Sequence, residues 1–120
     1  MKGGYMNKSL TDEWGTPIGL YVGMCKEFDI LPELDVCATP TNSKCEKFYD
    51  KNIDGLTQEW SCDFFMNPPF SKAKFWIQKA FEEHRKYNVN GMAVLAARTD
   101  TKAWHNYILN QANCEVMFVQ

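Results

Sequence analysis

The chain has 120 residues, of which 45% are hydrophobic, 14% aromatic and 23% charged. That is enough for one hydrophobic core but not two, and it excludes disordered, collagenous and low-complexity classes. Thirteen Lys and Arg against fifteen Asp and Glu leave a net charge of −2, so no overall basic field draws the chain to a polyanion and nucleic-acid binding requires a local patch.

Residues 1–13 mix Gly3 and Gly4 with polar side chains without periodicity and read as a flexible lead-in; residues 14–120 form the single domain. Thr16-Pro17 is a helix start, a hydroxyl at the cap and proline in the first turn. Tyr21, Met24, Cys25 and Phe28 follow at helical spacing, which predicts a helix over 17–28. Pro32 stops it. Residues 34–38, Leu-Asp-Val-Cys-Ala, read as a short buried strand that ends in the loop Thr39-Pro40-Thr41-Asn42. Residues 47–49 suggest a second brief strand, with 52–55 a turn after it.

Residues 61–66 read as a strand that must end at Asn67-Pro68-Pro69-Phe70, because two prolines cannot continue a ladder. Ala73, Trp76, Ile77, Ala80 and His84 then recur at helical spacing, predicting a crossover helix over 72–87 with His84 at its surface. Asn90-Gly91 reads as a turn. The continuous apolar run 92–97 has the character of a parallel strand covered on both faces. A capped helix bearing Trp104, Tyr107 and Ile108, and a last strand over 114–119, complete the pattern. The order is that of an α/β fold with a mostly parallel sheet and helices on both faces. In such sheets ligands lie beyond the carboxyl ends of the strands.

No apolar run approaches the ~20 residues of a membrane-crossing helix, and the N-terminal Met-Lys-Gly-Gly is followed by no apolar leader. The expectation is a soluble, cytoplasmic protein with no membrane partner. Cys25, Cys37, Cys45, Cys62 and Cys114 show no C-x-x-C pair and are accompanied only by His84 and His105. Neither a disulfide framework nor a metal site is expected, and the thiols read as small buried hydrophobes.

Asn-Pro-Pro-Phe at a strand end has a specific chemical capability. Asn67 carries a side-chain carbonyl, and the Pro68 carbonyl is fixed in direction because Pro68 locks its own φ while Pro69 restricts the ψ before it. Two acceptors converging on one point can hold both hydrogens of a planar amino group, leaving its lone pair less committed to the ring. Positive charge developing on that nitrogen during attack is stabilised by acceptors already in place. Phe70 offers a flat face for a base taken out of its stack.

Together with this motif, Asp12-Glu13-Trp14-Gly15-Thr16-Pro17, Leu34-Asp35-Val36-Cys37-Ala38-Thr39, Asn42-Ser43-Lys44-Cys45, Asp54-Gly55-Leu56 and Arg98-Thr99-Asp100-Thr101 resemble, in this order, the phage-type DNA N6-adenine methyltransferases of the Dam-like family. The resemblance spans about residues 12–119. It implies a Rossmann-like methyltransferase sheet, S-adenosylmethionine as cofactor, DNA as partner, the adenine N6 amine as methyl acceptor, and the cytoplasm of a prokaryote or phage-infected cell as location. It assigns Asn67, Pro68, Pro69 and Phe70 to catalysis. Trp14, Thr16 and Pro17 go to the methionine end of the cofactor, Asp35, Cys37 and Ala38 to the cofactor-binding strand, and Asp54 to the cofactor's adenine amine. Phe70, Lys72, Arg98, Thr99 and Asp100 fall on the DNA side.

The residues themselves leave other readings open. Asp35 suits a loop cap, Asp54 a plain Asp-Gly turn, Thr16-Pro17 a helix cap, Arg98 with Asp100 a surface pair, and Lys72 with Lys74 a solvated face. The amine held by Asn67 also fits an RNA base or a glutamine side chain, and a non-catalytic binding domain is a third reading. The loop after the first strand lacks the Gly-rich turn of most methyltransferases. The resemblance further implies strands beyond Gln120, so the expectation is either a shortened form with an open sheet edge or a sheet completed by a homodimer partner or a second chain.

Overall fold

A computed structural model of the protein describes residues 15–95, with only the backbone of Phe70, together with Lys102 and Asn106. The predicted helix around Trp104 and the predicted last strand, on which the open-edge expectation rests, lie outside the described residues.

Helix α1 covers Ile18–Phe28, strand β1 Leu34–Asp35, β2 Lys47–Phe48 and β3 Phe64–Met66, followed by helix α2, Ala73–Tyr87, and strand β4, Gly91–Ala93. Single 3-10 turns occupy Gly55–Thr57 and Phe70–Lys72. The four strands form one sheet in the order β2-β1-β3-β4, and every pairing is parallel.

The strands are shorter than their apolar runs because the regular ladder is brief, yet single bonds prolong it. Val36 N–H donates to the Phe65 carbonyl at 3.1 Å, Ala38 N–H to the Tyr49 carbonyl at 3.0 Å, and Val94 N–H to the Met66 carbonyl at 3.0 Å. Gly91, expected in a turn, is instead the first residue of β4. The turn falls three residues earlier, at Asn88, whose left-handed backbone (φ 56°) ends α2. Gly91 has to be glycine there, since a Cβ would stand 2.2 Å from the Phe64 ring.

Alternation along the strands divides the core between two faces. Phe65, Met92 and Val94 pack with Tyr21 and Met24 of α1, Tyr21 meeting Phe65 edge to face with ring centroids 5.0 Å apart. Leu34, Val36, Phe64 and Met66 point the other way, into a cluster with Trp60 and with Trp76 and Ile77 of α2. The molecule is therefore an α/β/α sandwich in which β1 and β3 run through the middle. Helix α2 ends as predicted, but His84 is more than a surface residue: its Nδ1 lies 2.6 Å from the Val89 carbonyl, tying the helix end to the approach to β4.

Candidate active site

The strand order places a reversal between β1 and β3. From β1 the chain moves outward to β2 on one side, and from β3 it moves outward to β4 on the other. Connections that leave in opposite directions open a crevice beyond the carboxyl ends of the two central strands. Asp35 pairs with Phe65, so two residues further on in each strand direction come Cys37 and Asn67, both at that crevice.

Asn67 follows the last residue of β3 and is half-buried. Its Nδ2 donates to the hydroxyl of Thr16 at 2.7 Å, across 51 residues of sequence. Thr16 is 6% exposed. This corrects the helix-cap reading: α1 starts one residue later than expected, its cap position is Pro17, and no side chain caps it. The Thr16 hydroxyl is one residue too early to serve the helix and is engaged by Asn67 instead. With the NH2 end of the amide on Thr16, Oδ1 stands at the opposite end of the same plane.

Pro68 is buried and Pro69 half-buried. The Pro69 carbonyl accepts from Lys72 N–H at 3.0 Å and so closes the turn into α2, which distinguishes it from the Pro68 carbonyl assigned to the acceptor role. Lys72 and Lys74 are exposed on the first turn after the motif. Trp14, Arg98, Thr99 and Asp100 lie outside the described residues, as does the Phe70 side chain.

Asp35, 2% exposed, takes the loop-anchoring role that its sequence left open. Oδ1 accepts from Cys37 N–H at 3.3 Å and Oδ2 from Lys44 N–H at 3.0 Å, so one carboxylate folds residues 36–44 over the end of β1. Burial raises its pKa to about 6, against the pull of those two N–H groups and of the Lys44 charge. Asn42 adds a second clasp, its Oδ1 accepting from Thr39 N–H at 2.8 Å while the Lys44 ammonium donates to its backbone carbonyl at 3.1 Å. Asn42 also lies beside Gly15, where a Cβ would be 3.8 Å from its Nδ2, so this loop and the segment before α1 adjoin. Asn42 and Lys44 lie in a segment that carries the resemblance, but no role was assigned to them. Their signal in the sequence was the polar stretch around Thr39-Pro40-Thr41-Asn42, legible as a loop but not as a partner of Asp35.

Asp54 serves its turn: its Oδ1 accepts from Leu56 N–H at 3.2 Å and its backbone has φ 61°. The adjacent Gly55 presses on the end of β1, where a Cβ would stand 2.2 Å from the Val36 carbonyl oxygen and 3.1 Å from the Trp76 ring. Close approach, with no positive φ at this glycine, is what requires Gly55. Asp54 is thereby held near the same crevice, and its charge, after burial and Asp35, helps push the Cys37 thiol up to about 12. Burial likewise raises Cys45 to about 11. Both thiols are therefore held in the neutral form at physiological pH. Among the described residues no group of three or more His, Cys, Asp or Glu could hold a metal ion, and no helix is long and apolar enough to cross a membrane.

The structure thus gathers Thr16, Pro17, Asp35, Cys37, Ala38, Asp54, Asn67, Pro68 and Pro69 around the carboxyl ends of two neighbouring strands. A family model described as DNA N-6-adenine-methyltransferase (Dam) matches residues 3–120. The chain belongs to the Dam family. A DNA N-6-adenine-methyltransferase of Escherichia phage T1 is 27% identical over 124 residues, an alignment covering 99% of this chain and 49% of that protein. The chain therefore spans about half the length of this curated relative. No solved structure matches it. The parallel sheet flanked by helices on both faces is consistent with the Rossmann-like fold expected of a Dam-family methyltransferase.

Proposed function

We propose that this Dam-family chain carries the centre that moves a methyl group from S-adenosylmethionine to N6 of adenine in DNA. The observation that carries the reading is the position of Asn67-Pro68-Pro69, leaving β3 at the strand reversal with the Asn67 amide already held. In this reading Asn67 Oδ1 and the Pro68 carbonyl accept the two hydrogens of the adenine amine, Pro69 fixes the bend, and Phe70 is the stacking platform. The two acceptors orient the lone pair and favour the charge that develops on nitrogen. The proton leaves that nitrogen afterwards.

The residues at the end of β1 fit the cofactor. The first intrahelical bond of α1 is Tyr21 N–H to the Pro17 carbonyl, so the N–H groups of the preceding turn suit a carboxylate. The Asp35 charge behind the loop and the exposed Asp54 suit a cation and an amine donor. Trp14 and Pro17 would lie at the methionine end of the cofactor, with the Thr16 hydroxyl between them turned to Asn67, Asp35, Cys37 and Ala38 along its strand-side loop, and Asp54 toward its adenine. When bound, S-adenosylmethionine supplies an electrophilic methyl carbon. Lys72, with Arg98, Thr99 and Asp100, belongs to the DNA side, where lysine meets phosphate. The reading puts the protein with its DNA, in the cytoplasm of a prokaryote or a phage-infected cell.

The test is incubation of the protein with unmethylated DNA and labelled cofactor, followed by mapping of methylated bases. The expected product is N6-methyladenine in DNA. Label that enters only RNA or protein, or no label at all, contradicts the proposal.

A further inference from the structure

We propose that Thr16 is a positioning residue for Asn67, acting through the amide rather than by touching the cofactor; the inference rests on the methyltransferase reading above. Its ground is the 2.7 Å bond from Asn67 Nδ2 to a Thr16 hydroxyl that is 6% exposed and caps no helix. The bond links the segment ahead of α1 to the end of β3 and is a long-range polar tie at the motif itself.

An asparagine amide is planar, with its acceptor and its two donors at opposite ends. Only one of its two orientations offers oxygen to an incoming amine; rotated by half a turn, it opposes N–H to N–H. Thr16 receives the NH2 end, which leaves Oδ1 at the far end of the amide plane, where the proposal puts the amine. Donation from Nδ2 also polarises the amide and strengthens Oδ1 as an acceptor, since linked hydrogen bonds reinforce one another. A hydroxyl buried at this point therefore anchors the amide in place and strengthens its acceptor. Thr16→Val keeps the branched shape without the oxygen; Thr16→Ser keeps the oxygen with less bulk.

The experiment measures single-turnover methyl transfer to adenine-containing DNA at saturating cofactor, with calorimetric titration of S-adenosylmethionine in parallel. For Thr16→Val the saturated rate should fall about tenfold to a hundredfold, while the Kd for S-adenosylmethionine changes by less than about threefold. Thr16→Ser should recover most of the rate, and Thr16→Ala replaces the valine variant if that one does not fold. A Kd that rises with an undiminished saturated rate would make Thr16 a cofactor contact and overturn the proposal, as would a valine variant within twofold of wild type. A wild-type chain that methylates no adenine in DNA overturns the methyltransferase reading and the role of Thr16 together, whereas an active wild type with an equally active valine variant overturns the role of Thr16 alone.

Discussion

Asp35 shows how a single carboxylate can shape a site without facing solvent. It is buried, it holds the loop over β1 through two backbone N–H groups, and its pKa stands at about 6 instead of the usual 3.8, burial being the largest cause. Between about pH 4 and pH 6 the folded protein therefore keeps a proton that the unfolded chain has released. Its stability falls as pH rises through that window, to a cost of about 3 kcal/mol above it. Replacing Asp35 with Asn removes this dependence. In urea unfolding, the difference between Asp35→Asn and wild type should move by about 3 kcal/mol in the variant's favour from pH 4 to pH 7. A difference constant across that range would contradict the buried carboxylate. Above pH 6 the ionised carboxylate keeps negative charge behind the loop.

At the scale of elements, α2 is fastened to the chain ahead of β3 by a buried acidic side chain, Glu83, besides the exposed Glu59 that Lys86 and Tyr87 reach. Glu83, 5% exposed, accepts from Trp60 N–H at 2.6 Å, and its other oxygen pairs with Lys79 at 3.5 Å. Trp60 in turn stacks on Trp76 at 6.0 Å and donates from its indole nitrogen to the Gly55 carbonyl at 2.9 Å. Glu83, Trp60, Gly55 and the end of β1 thus form one continuous contact from the back of α2 to the crevice. Glu83→Ala leaves the buried Trp60 N–H without its acceptor and should cost about 1–3 kcal/mol in chemical denaturation, whereas Glu83→Gln, which keeps an acceptor, should lose less. Equal losses for the two substitutions would show that the hydrogen bond is not what matters.

Across the whole molecule, the elements whose patterns repeat were legible in the sequence. The spacing of Trp76 and Ile77 gave α2, and the apolar strand before two prolines gave β3 and the site of its end. The parallel order followed from the alternation of strands and helices. The strand lengths were not legible, because an apolar run records burial while a ladder also requires a partner in register; Val36 and Val94 are buried just beyond their strands. Asn67, Asp35 and Asp54 could be singled out by type and motif. What could not be read was the distant group that two of them face, Thr16 for Asn67 and Lys44 for Asp35; the bond from Leu56 to Asp54 is the plain Asp-Gly turn that the sequence had left open. The Thr16 pairing crosses from the chain ahead of α1 to the end of β3, and local periodicity carries no information about such a contact.

The central claim is that the amide at the end of β3 grips the amine that receives the methyl group. It is tested most directly by comparing wild type with Asn67→Ala in single-turnover transfer to unmethylated DNA, with cofactor affinity measured on the same preparations. The expected result is a loss of at least about a hundredfold in rate, the scale of removing one pre-aimed polar group, with S-adenosylmethionine binding within about threefold of wild type. An alanine variant that methylates adenine at the wild-type rate would contradict it.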